Sequence, residues 1–167
     1  MTQFSIRLAT ESDFEAICGI YSDARAFMRE NGNPHQWKDD RPTQDTIARD
    51  IKAGKSHVCI GDKGIVAVFY FSIEEEPTYG RIDGAWINDE PYGVVHRIAR
   101  SRDASAKGAG KFCMEWSYEQ CRNLRVDTHR DNGPMRALLE SLRFAYCGII
   151  WLEDGDERLA YQKAAGK

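Results

Sequence analysis

The stretch SAKGAGK, residues 105–111, combines residue types that can bind a phosphate group. Gly108 and Gly110 stand between Lys107 and Lys111, and the residues that follow have the apolar spacing of a helix. The start of a helix exposes unpaired backbone N–H groups and a partial positive charge, which attract anions. Glycine has no Cβ, so phosphate oxygens can approach its backbone closely. The stretch therefore predicts a phosphate site; the alternative is a mobile turn whose glycines provide only flexibility.

The charge around this loop agrees with an anion site. The whole chain is acidic, with a formal net charge of -3. Next to the loop, one acidic residue, Asp103, is opposed by a cluster of basic residues: Arg97, Arg100, Arg102, Lys107 and Lys111. The acidic total argues against nucleic acid or an anionic membrane as a partner, so the anion site must be built locally.

Two well-known phosphate loops are excluded by spacing. A Walker loop requires a glycine where Ser105 stands and a serine or threonine where Phe112 stands. The dinucleotide pattern GxGxxG requires a third glycine at Cys113 and follows the first strand of its domain. A nucleotide-binding regulatory domain is therefore the weakest of the functional hypotheses.

The elements that must position the loop begin with a strand, two helices and a hairpin. The apolar periodicity predicts them in FSIRLA, TESDFEAICGIYSDARAFMREN, TQDTIARDIKAG and HVCIGDKGIVAVFYFSI. An aromatic-rich insert follows, with a further strand expected near residues 82–87.

The second half of the chain alternates strands and helices. The strand VVHRIARS leads into the loop, and the later segments are the helix KFCMEWSYEQCRN, the strand LRVDTH, the helix MRALLESL and two closing strands, YCGIIWLE and RLAYQK. This order predicts an α/β (α+β) fold in a single domain spanning residues 1–167. The fold is expected to be a mixed sheet with helices on both faces.

The amino-acid composition is that of an ordinary globular protein. Hydrophobic residues make up 42% and charged residues 29%, which is typical of a globular protein. Scattered cysteines without a CxxC pair predict reduced thiols. The sequence shows neither a signal-peptide pattern nor an apolar run long enough to cross a membrane. We therefore expect a cytoplasmic protein without a membrane partner, and a homodimer is compatible with the sequence.

The loop and its flanks resemble the GCN5-related N-acetyltransferase (GNAT) family, whose loop reads Gln/Arg-x-x-Gly-x-Gly/Ala. SAKGAG matches that pattern except at Ser105. IRLATESDFEAICGIY is similar to the family's first strand and helix, and DTHRDNGPMRALLESLRF to its fifth strand and fourth helix. The segments HRIA, LRVDTHRDN and LAYQK are similar to a bacterial branch of the family. The resemblance covers nearly the whole chain and implies a mostly antiparallel sheet of six or seven strands.

The same resemblance implies that acetyl-CoA is a cosubstrate and that an amine accepts its acetyl group. In the family the loop amides hold the diphosphate of coenzyme A, and the pantetheine arm lies along the preceding strand. The residues so implied are Ile98, Ala99 and Arg100 along the arm, Ser105, Ala106, Lys107, Gly108, Ala109, Gly110 and Lys111 at the diphosphate, and Asn132 on the other side of the arm.

Acetyl transfer by direct attack needs a neutral amine, a donor for the developing oxyanion and a proton for the leaving thiolate. A backbone N–H near Ile98 or Ala99 is the candidate donor. His96 is the candidate base because imidazole ordinarily titrates at about pH 6.5. The alternatives are a purely structural His96, and Asp83 or Glu90 acting through water.

The candidate proton donor departs from the family pattern. Many members carry a tyrosine seven residues after the asparagine, where this chain has Leu139. Tyr118, Tyr146 and Tyr161 are the candidate substitutes. Because of Leu139, a coenzyme A-binding module with little or no catalysis stays open as a second hypothesis.

The acceptor is expected to be a small-molecule or peptide amine. Its candidate contacts are Trp37, Asp83, Trp86 and Tyr92, since aromatic rings and carboxylates suit a cationic amine. The alternative is that the tryptophans only seal loops against the core.

Asp127 and His129 lie on one face of a predicted strand, at a spacing of two. They are expected to tether the turn before Asn132 or to line the site. A third ligand is not evident, so no metal is predicted.

Overall fold

The computed structural model describes residues 3–37 and 40–166. Its first half contains strand β1 (Ser5–Leu8), helices α1 (Phe14–Glu30) and α2 (Gln44–Lys52), and strands β2 (Ser56–Gly61) and β3 (Gly64–Ile73). An insert with the two-residue strand β4 (Asp83–Gly84) follows. The second half contains β5 (Gly93–Arg100), α3 (Ala109–Cys121), β6 (Asn123–Thr128), α4 (Gly133–Ser141), β7 (Ala145–Trp151) and β8 (Glu157–Ala164).

The described strands form one eight-stranded sheet in the order β1-β2-β3-β5-β6-β8-β7-β4. β5 and β6 are parallel, and the other neighbouring strands are antiparallel. The mixed, mostly antiparallel sheet is therefore confirmed. The eighth strand, β4, lies inside the segment 82–87 where a further strand was expected, but it is only two residues long and pairs Asp83 with Ile149 and Gly84 with Gly148.

Local sequence explains the ends of the elements before the insert. The Thr43 side chain accepts a hydrogen bond from the Thr46 amide at 3.2 Å and caps α2. Gly54, with φ of 73°, follows the end of that helix in a conformation that suits glycine. The β2–β3 hairpin closes between Gly61 and Gly64, at the predicted turn.

Helices cover both faces of the sheet, as expected. The larger core cluster lies between the sheet and helices α3 and α4, and it buries Phe69, Met114, Leu124 and Leu139 completely. A second cluster lies under α1 and α2 on the opposite face, around Ile17, Val58 and Val68. Burial on both faces explains why β3 is almost continuously apolar.

The parallel strands β5 and β6 stay together over only two residue pairs, Gly93 with Leu124 and Val94 with Arg125. Beyond these pairs the strands separate. The edge of β5 at residues 95–100 and the facing edge of β6 at residues 126–128 then have no strand partner. This gap in the middle of the sheet is where the site described below is built.

Each cysteine predicted to be reduced is a free thiol, and Cys59 and Cys113 are buried. In the described part of the chain, helices are either too short or too polar to cross a bilayer.

Candidate active site

A cleft of about 640 Å³ passes through the gap between β5 and β6. On one face of the sheet its walls come from α1 and from Gln36 and Trp37 in the loop that follows. On the other face they come from the first residues of α3 and from Met135 and Leu138 of α4. The cleft therefore connects the two faces of the sheet.

Alternation along the strands assigns the polar side chains to one face. Val95 and Val126 belong to the core under α3 and α4. Their neighbours His96 and Asp127, which also line the cleft, therefore lie on the α1 face. The first residues of α3 lie on the opposite face.

A β-bulge interrupts β5 beside the gap. Val68 of β3 pairs with Ala99 and Tyr70 pairs with His96, so Arg97 and Ile98 together face one residue of β3. Arg97 has a φ of 51°, a left-handed conformation that costs a non-glycine residue about 1–3 kcal/mol. A bulge increases the local twist of a strand, which agrees with the separation of β5 from β6 at this point.

Three contacts from other elements hold the bulge in place. The Arg97 guanidinium donates to both carboxylate oxygens of Asp50 in α2, at 2.9 and 3.0 Å. The Tyr21 hydroxyl of α1 donates to the Arg97 carbonyl at 2.8 Å. The guanidinium also lies 4.8 Å from the centre of the Tyr70 ring. Burial raises the pKa of the Asp50 carboxyl, against the lowering effect of Arg97, so this carboxylate is well removed from water, whereas the Arg97 side chain is partly exposed.

The glycine loop supplies free amides, as the sequence predicts. A short 3-10 turn, Ala104–Ala106, leads to Gly108, whose φ is 87°, and α3 begins at Ala109. Within the described residues, the amides of residues 108–111 have no hydrogen-bond acceptor. A Cβ on Gly110 would lie 3.7 Å from Leu138, so the space above this glycine is part of the cleft.

The loop residues differ in what their side chains do. Ala106 and Ala109 are fully buried in the core and are not among the residues that line the cleft. Gly108, Gly110 and Lys111 line the cleft, whereas Ser105 and Lys107 lie beside it.

Ion pairs neutralise two arginines of the basic cluster around the loop. Arg97 pairs with Asp50, and Arg102 pairs with Glu30 at 2.7 Å. Among the described residues, Arg100, Lys107 and Lys111 have no such partner and remain available to an anion.

Asn132 lies across the gap from β5 and lines the cleft. Its Oδ1 accepts a hydrogen bond from the Met135 amide at 3.2 Å and caps α4. Its Nδ2 donates to Oε1 of Gln36 at 3.1 Å. The asparagine therefore joins α4 to the loop after α1.

His96 has an acidic neighbour that the sequence did not indicate. Its Nε2 lies 2.9 Å from Oε1 of Glu76 in the insert, off the line of an ideal hydrogen bond. The contact with His96 lowers the pKa of the Glu76 carboxyl. The rings of Tyr70 and Tyr79 lie 5.4 and 6.1 Å from the imidazole. The imidazole therefore lies between one carboxylate and two aromatic rings.

Asp127 is also held from the insert. The hydroxyl of Tyr79 donates to Oδ2 of Asp127 at 2.6 Å, and Tyr79 is almost fully buried. Burial, followed by the Asp127 charge, raises the pKa of Tyr79, so the tyrosine remains the donor. Tyr79 thus touches both of the polar groups that β5 and β6 present to the cleft.

Gln36 and Arg158 are two further cleft residues that sequence reasoning missed. Oε1 of Gln36 accepts hydrogen bonds from Asn132, from Thr128 at 3.4 Å and from the His129 amide at 3.3 Å. Arg158 donates to the Gln36 carbonyl at 2.9 Å. These contacts of Gln36 join residues more than 90 positions apart in the sequence, so no local sequence pattern could predict them.

The structure places some of the predicted acceptor residues in the cleft and others outside it. Trp37 lines the cleft and packs its ring 5.6 Å from Tyr21. Trp86 and Tyr92 lie outside the cleft, with the guanidinium of Arg125 4.3 and 4.0 Å from their ring centres. For Trp86, this position agrees with the alternative interpretation, in which the tryptophan only seals a loop against the core.

Other candidates for the chemistry also lie outside the cleft. Asp83 is exposed in β4 near the edge of the sheet, and Glu90 is exposed in the insert. Leu139, which stands where the proton-donating tyrosine was expected from the resemblance, is fully buried in the core. Tyr146 and Tyr161 line a separate groove, and Tyr118 packs against Arg122 and Lys163.

His129 tethers the turn before Asn132, which confirms that interpretation. Its Nδ1 accepts a hydrogen bond from the Asp131 amide at 3.0 Å, and its carbonyl accepts one from the Asn132 amide. Across residues 3–37 and 40–166, no three histidine, cysteine or acidic side chains are grouped as metal ligands would be.

Solved structures share this architecture. A GNAT-family acetyltransferase from Streptococcus agalactiae is 31% identical, with a TM-score of 0.89; the match covers 98% of this chain and 96% of that chain. A GNAT-family acetyltransferase from Listeria monocytogenes is 19% identical, with a TM-score of 0.70 and coverage of 96% and 94%. A ribosomal-protein-alanine N-acetyltransferase from Brucella melitensis is 18% identical, with a TM-score of 0.66 and coverage of 96% and 99%. The last two show the fold alone.

No protein-family model and no curated protein matches the sequence.

Removing the carboxylate of Asp50 should destabilise the protein. We expect Asp50→Asn to lower the free energy of unfolding by about 3 kcal/mol, the low end for a broken buried pair, because the Arg97 charge and its strained backbone lose their partner but the Arg97 side chain is partly exposed. Urea denaturation measures this change. The matched control is Glu30→Gln, which breaks the exposed pair with Arg102 and should leave stability unchanged. Equal effects of the two substitutions would show that Asp50 does not anchor the bulge.

Proposed function

The chain belongs to the GNAT family of acetyltransferases, and from this we propose that it transfers the acetyl group of acetyl-CoA to a primary amine of a small molecule or peptide. The observation that carries the proposal is the gap between β5 and β6, with free loop amides at one end and His96 and Asp127 at the other. Acetyl transfer in general is the activity of the family. Acetyl-CoA and the amine are the proposed parts.

The two unpaired strand edges support binding of the pantetheine arm. The arm is extended and carries amide groups, so it can pair with a free edge much as an added strand does. Ile98, Ala99 and Arg100 would lie along it on β5, and Asn132 would face it from α4. Its entry would bring the thioester beside the bulge at Arg97.

The loop at residues 108–111 supports binding of the diphosphate. Free amides at a helix start are suited to phosphate oxygens. Arg100, Lys107 and Lys111 supply positive charge that no described carboxylate neutralises. Geometry and charge therefore favour an anion at the same place.

In the proposed reaction the amine nitrogen attacks the thioester carbonyl carbon. The carbon–sulfur bond breaks, the thiolate leaves, and the amine loses a proton to His96. Glu76, 2.9 Å from that imidazole, would stabilise its protonated form. A backbone N–H of the bulge near Ile98 would donate to the developing oxyanion, because the bulge interrupts the regular ladder there.

The proposal does not require a tyrosine to protonate the thiolate. A thiol has a pKa of about 8.5, so a thiolate is a far weaker base than an amine anion and can leave without an acid. The cleft opens to both faces of the sheet, and water can supply the proton after departure. This accounts for a buried Leu139 at the family's tyrosine position.

A second candidate function is a coenzyme A-binding module with little or no catalysis. The observation that favours it is the position of Tyr118, Tyr146 and Tyr161, none of which lines the described cleft. Such a module would bind acetyl-CoA but release no thiol with any amine.

Neighbouring structures support a broad acceptor class. The Brucella melitensis protein, which shares the fold, is named for N-acetylation of an alanine of a ribosomal protein. A peptide amine is therefore compatible with the fold, and the proposal keeps it beside a small-molecule amine.

A bulky side chain at Gly110 should block acetyl-CoA. We expect Gly110→Trp to raise the Kd at least about 10-fold, because the new side chain would fill the space above the loop amides. Isothermal titration calorimetry measures the Kd. The matched control is Gly19→Trp, since Gly19 is an exposed helical glycine with no heavy atom within 4 Å of an added Cβ. Unchanged affinity in the Gly110 variant would overturn the loop as the diphosphate site.

Replacing His96 should slow chemistry without weakening cosubstrate binding. We expect His96→Gln to lower kcat about 100-fold. Thiol release with a panel of amines gives the rates, and calorimetry checks that the Kd for acetyl-CoA is retained. A variant with the wild-type kcat would exclude His96 as the base. No thiol release by the wild-type protein would instead favour the binding module.

A further inference from the structure

Arg158 of β8 lines the cleft but has no acidic partner in contact. It is only 4% exposed, and its guanidinium donates to two backbone carbonyls, those of Glu157 and Gln36, each at 2.9 Å. Among the described residues, no carboxylate oxygen lies within 4.0 Å of it. Carbonyl oxygens are neutral, and the carboxylates of Asp127, Asp156 and Asp154 act on the guanidinium only from beyond contact distance. A buried guanidinium without a directly bonded carboxylate therefore lies at the wall of the cleft.

Arg97 provides a comparison, because it is an arginine of the same cleft whose charge is paired with a carboxylate. Both arginines line the same cavity. Arg97 makes two hydrogen bonds to the Asp50 carboxylate and is thereby fixed in the structure. Arg158 has no carboxylate in direct contact, and the charges of Asp127, Asp156 and Asp154 act on it only from a distance, although burying a charge without a bonded partner is costly. A bound carboxylate would supply the missing partner, and a guanidinium binds one through two parallel hydrogen bonds.

Arg158 lies on the face of the sheet where the acceptor amine is proposed to bind. Leu159 packs against the core under α3 and α4, so Arg158 points to the opposite face. This is the face of His96 and Asp127, away from the loop that would hold the diphosphate. Asp127 lies on the neighbouring strand β6, two positions along the register from Arg158. A positive and a negative group thus stand side by side in the acceptor half of the cleft.

That half of the cleft also presents apolar side chains. Phe27 and Met28 of α1, Trp37 and Leu152 line the cleft and are half-buried. Phe27 and Met28 belong to none of the core clusters of buried residues. They offer apolar surface to a ligand rather than to the core.

We propose that the acceptor is a free amino acid with a large apolar side chain, whose carboxylate binds Arg158 and whose amine lies between Asp127 and His96. The inference rests on the proposed function and names its substrate class. A peptide N-terminus is disfavoured, because its first residue carries an amide in place of the carboxylate. The apolar side chain packs against Phe27, Met28, Trp37 and Leu152.

The test compares three amino acids with analogues that lack the carboxylate. The acids are L-phenylalanine, L-leucine and L-methionine; the analogues are the decarboxylated amine and the carboxamide of each. Thiol release from acetyl-CoA gives kcat/KM, and calorimetry in the presence of coenzyme A gives the Kd of each compound. For at least one acid we expect the acid to exceed both analogues at least about 100-fold, since a site built for a polar group rejects ligands without it.

Variants then assign this preference to Arg158. We expect Arg158→Met to reduce the preference below about 10-fold while the Kd for acetyl-CoA stays at the wild-type value. Arg158→Lys, which keeps the charge but not the paired donors, should retain part of it. The matched control is Arg136→Met, because Arg136 also donates to a backbone carbonyl but lies in the separate groove. This control should keep the full preference.

The possible outcomes separate this inference from the proposed function. Equal use of acids and analogues by the wild-type protein would overturn the carboxylate site and leave acetyl transfer intact. A preference that survives Arg158→Met would show that Arg158 only holds the Gln36 loop. If no compound is acetylated, binding decides: tighter binding of an acid supports the site, and equal or absent binding overturns it. If Arg158→Met does not fold, the wild-type comparison and Arg158→Lys decide.

Discussion

The organising constraint of this structure is the early end of the pairing between the parallel strands β5 and β6. After Val94 and Arg125 the two backbones separate in the middle of a sheet, where polar groups of the main chain normally find partners. The bulge at Arg97 lies beside this point, held by Asp50 and Tyr21 from the two helices on one face. The sheet therefore keeps a pair of unsatisfied edges that a ligand can complete.

Charge is distributed along the cleft in a way that follows from this gap. On the α3 side, free amides and unpaired basic residues favour an anion at residues 108–111. On the α1 side, His96 and Asp127 are each held by a residue of the insert, Glu76 and Tyr79. Between them the strand edges are lined by backbone and apolar groups. An elongated molecule with a charged end and an uncharged arm is complementary to this order of groups.

Local patterns in the sequence were sufficient for the elements and the loop. Gly108 and Gly110 predicted a helix start with free amides because backbone conformation at such a turn depends on near neighbours. The contacts of Glu76 with His96 and of Arg158 with Gln36 could not be predicted, since each joins segments that only the folded sheet brings together. The contact of Arg125 with both Trp86 and Tyr92 could not be predicted for a similar reason: aromatic composition suits a ligand, but only the fold shows that a guanidinium of this chain lies against both rings. Roles of individual site residues stay predictions.

Hydrogen exchange of the backbone amides tests the central claim most directly. If coenzyme A binds as proposed, it covers the amides of residues 108–111 and the edge of β5 at residues 98–100. With saturating coenzyme A, exchange at both segments should slow markedly, while exchange in β1 and in β7 stays the same. Unchanged exchange at both segments, with binding established by calorimetry, would place the ligand elsewhere and contradict the account.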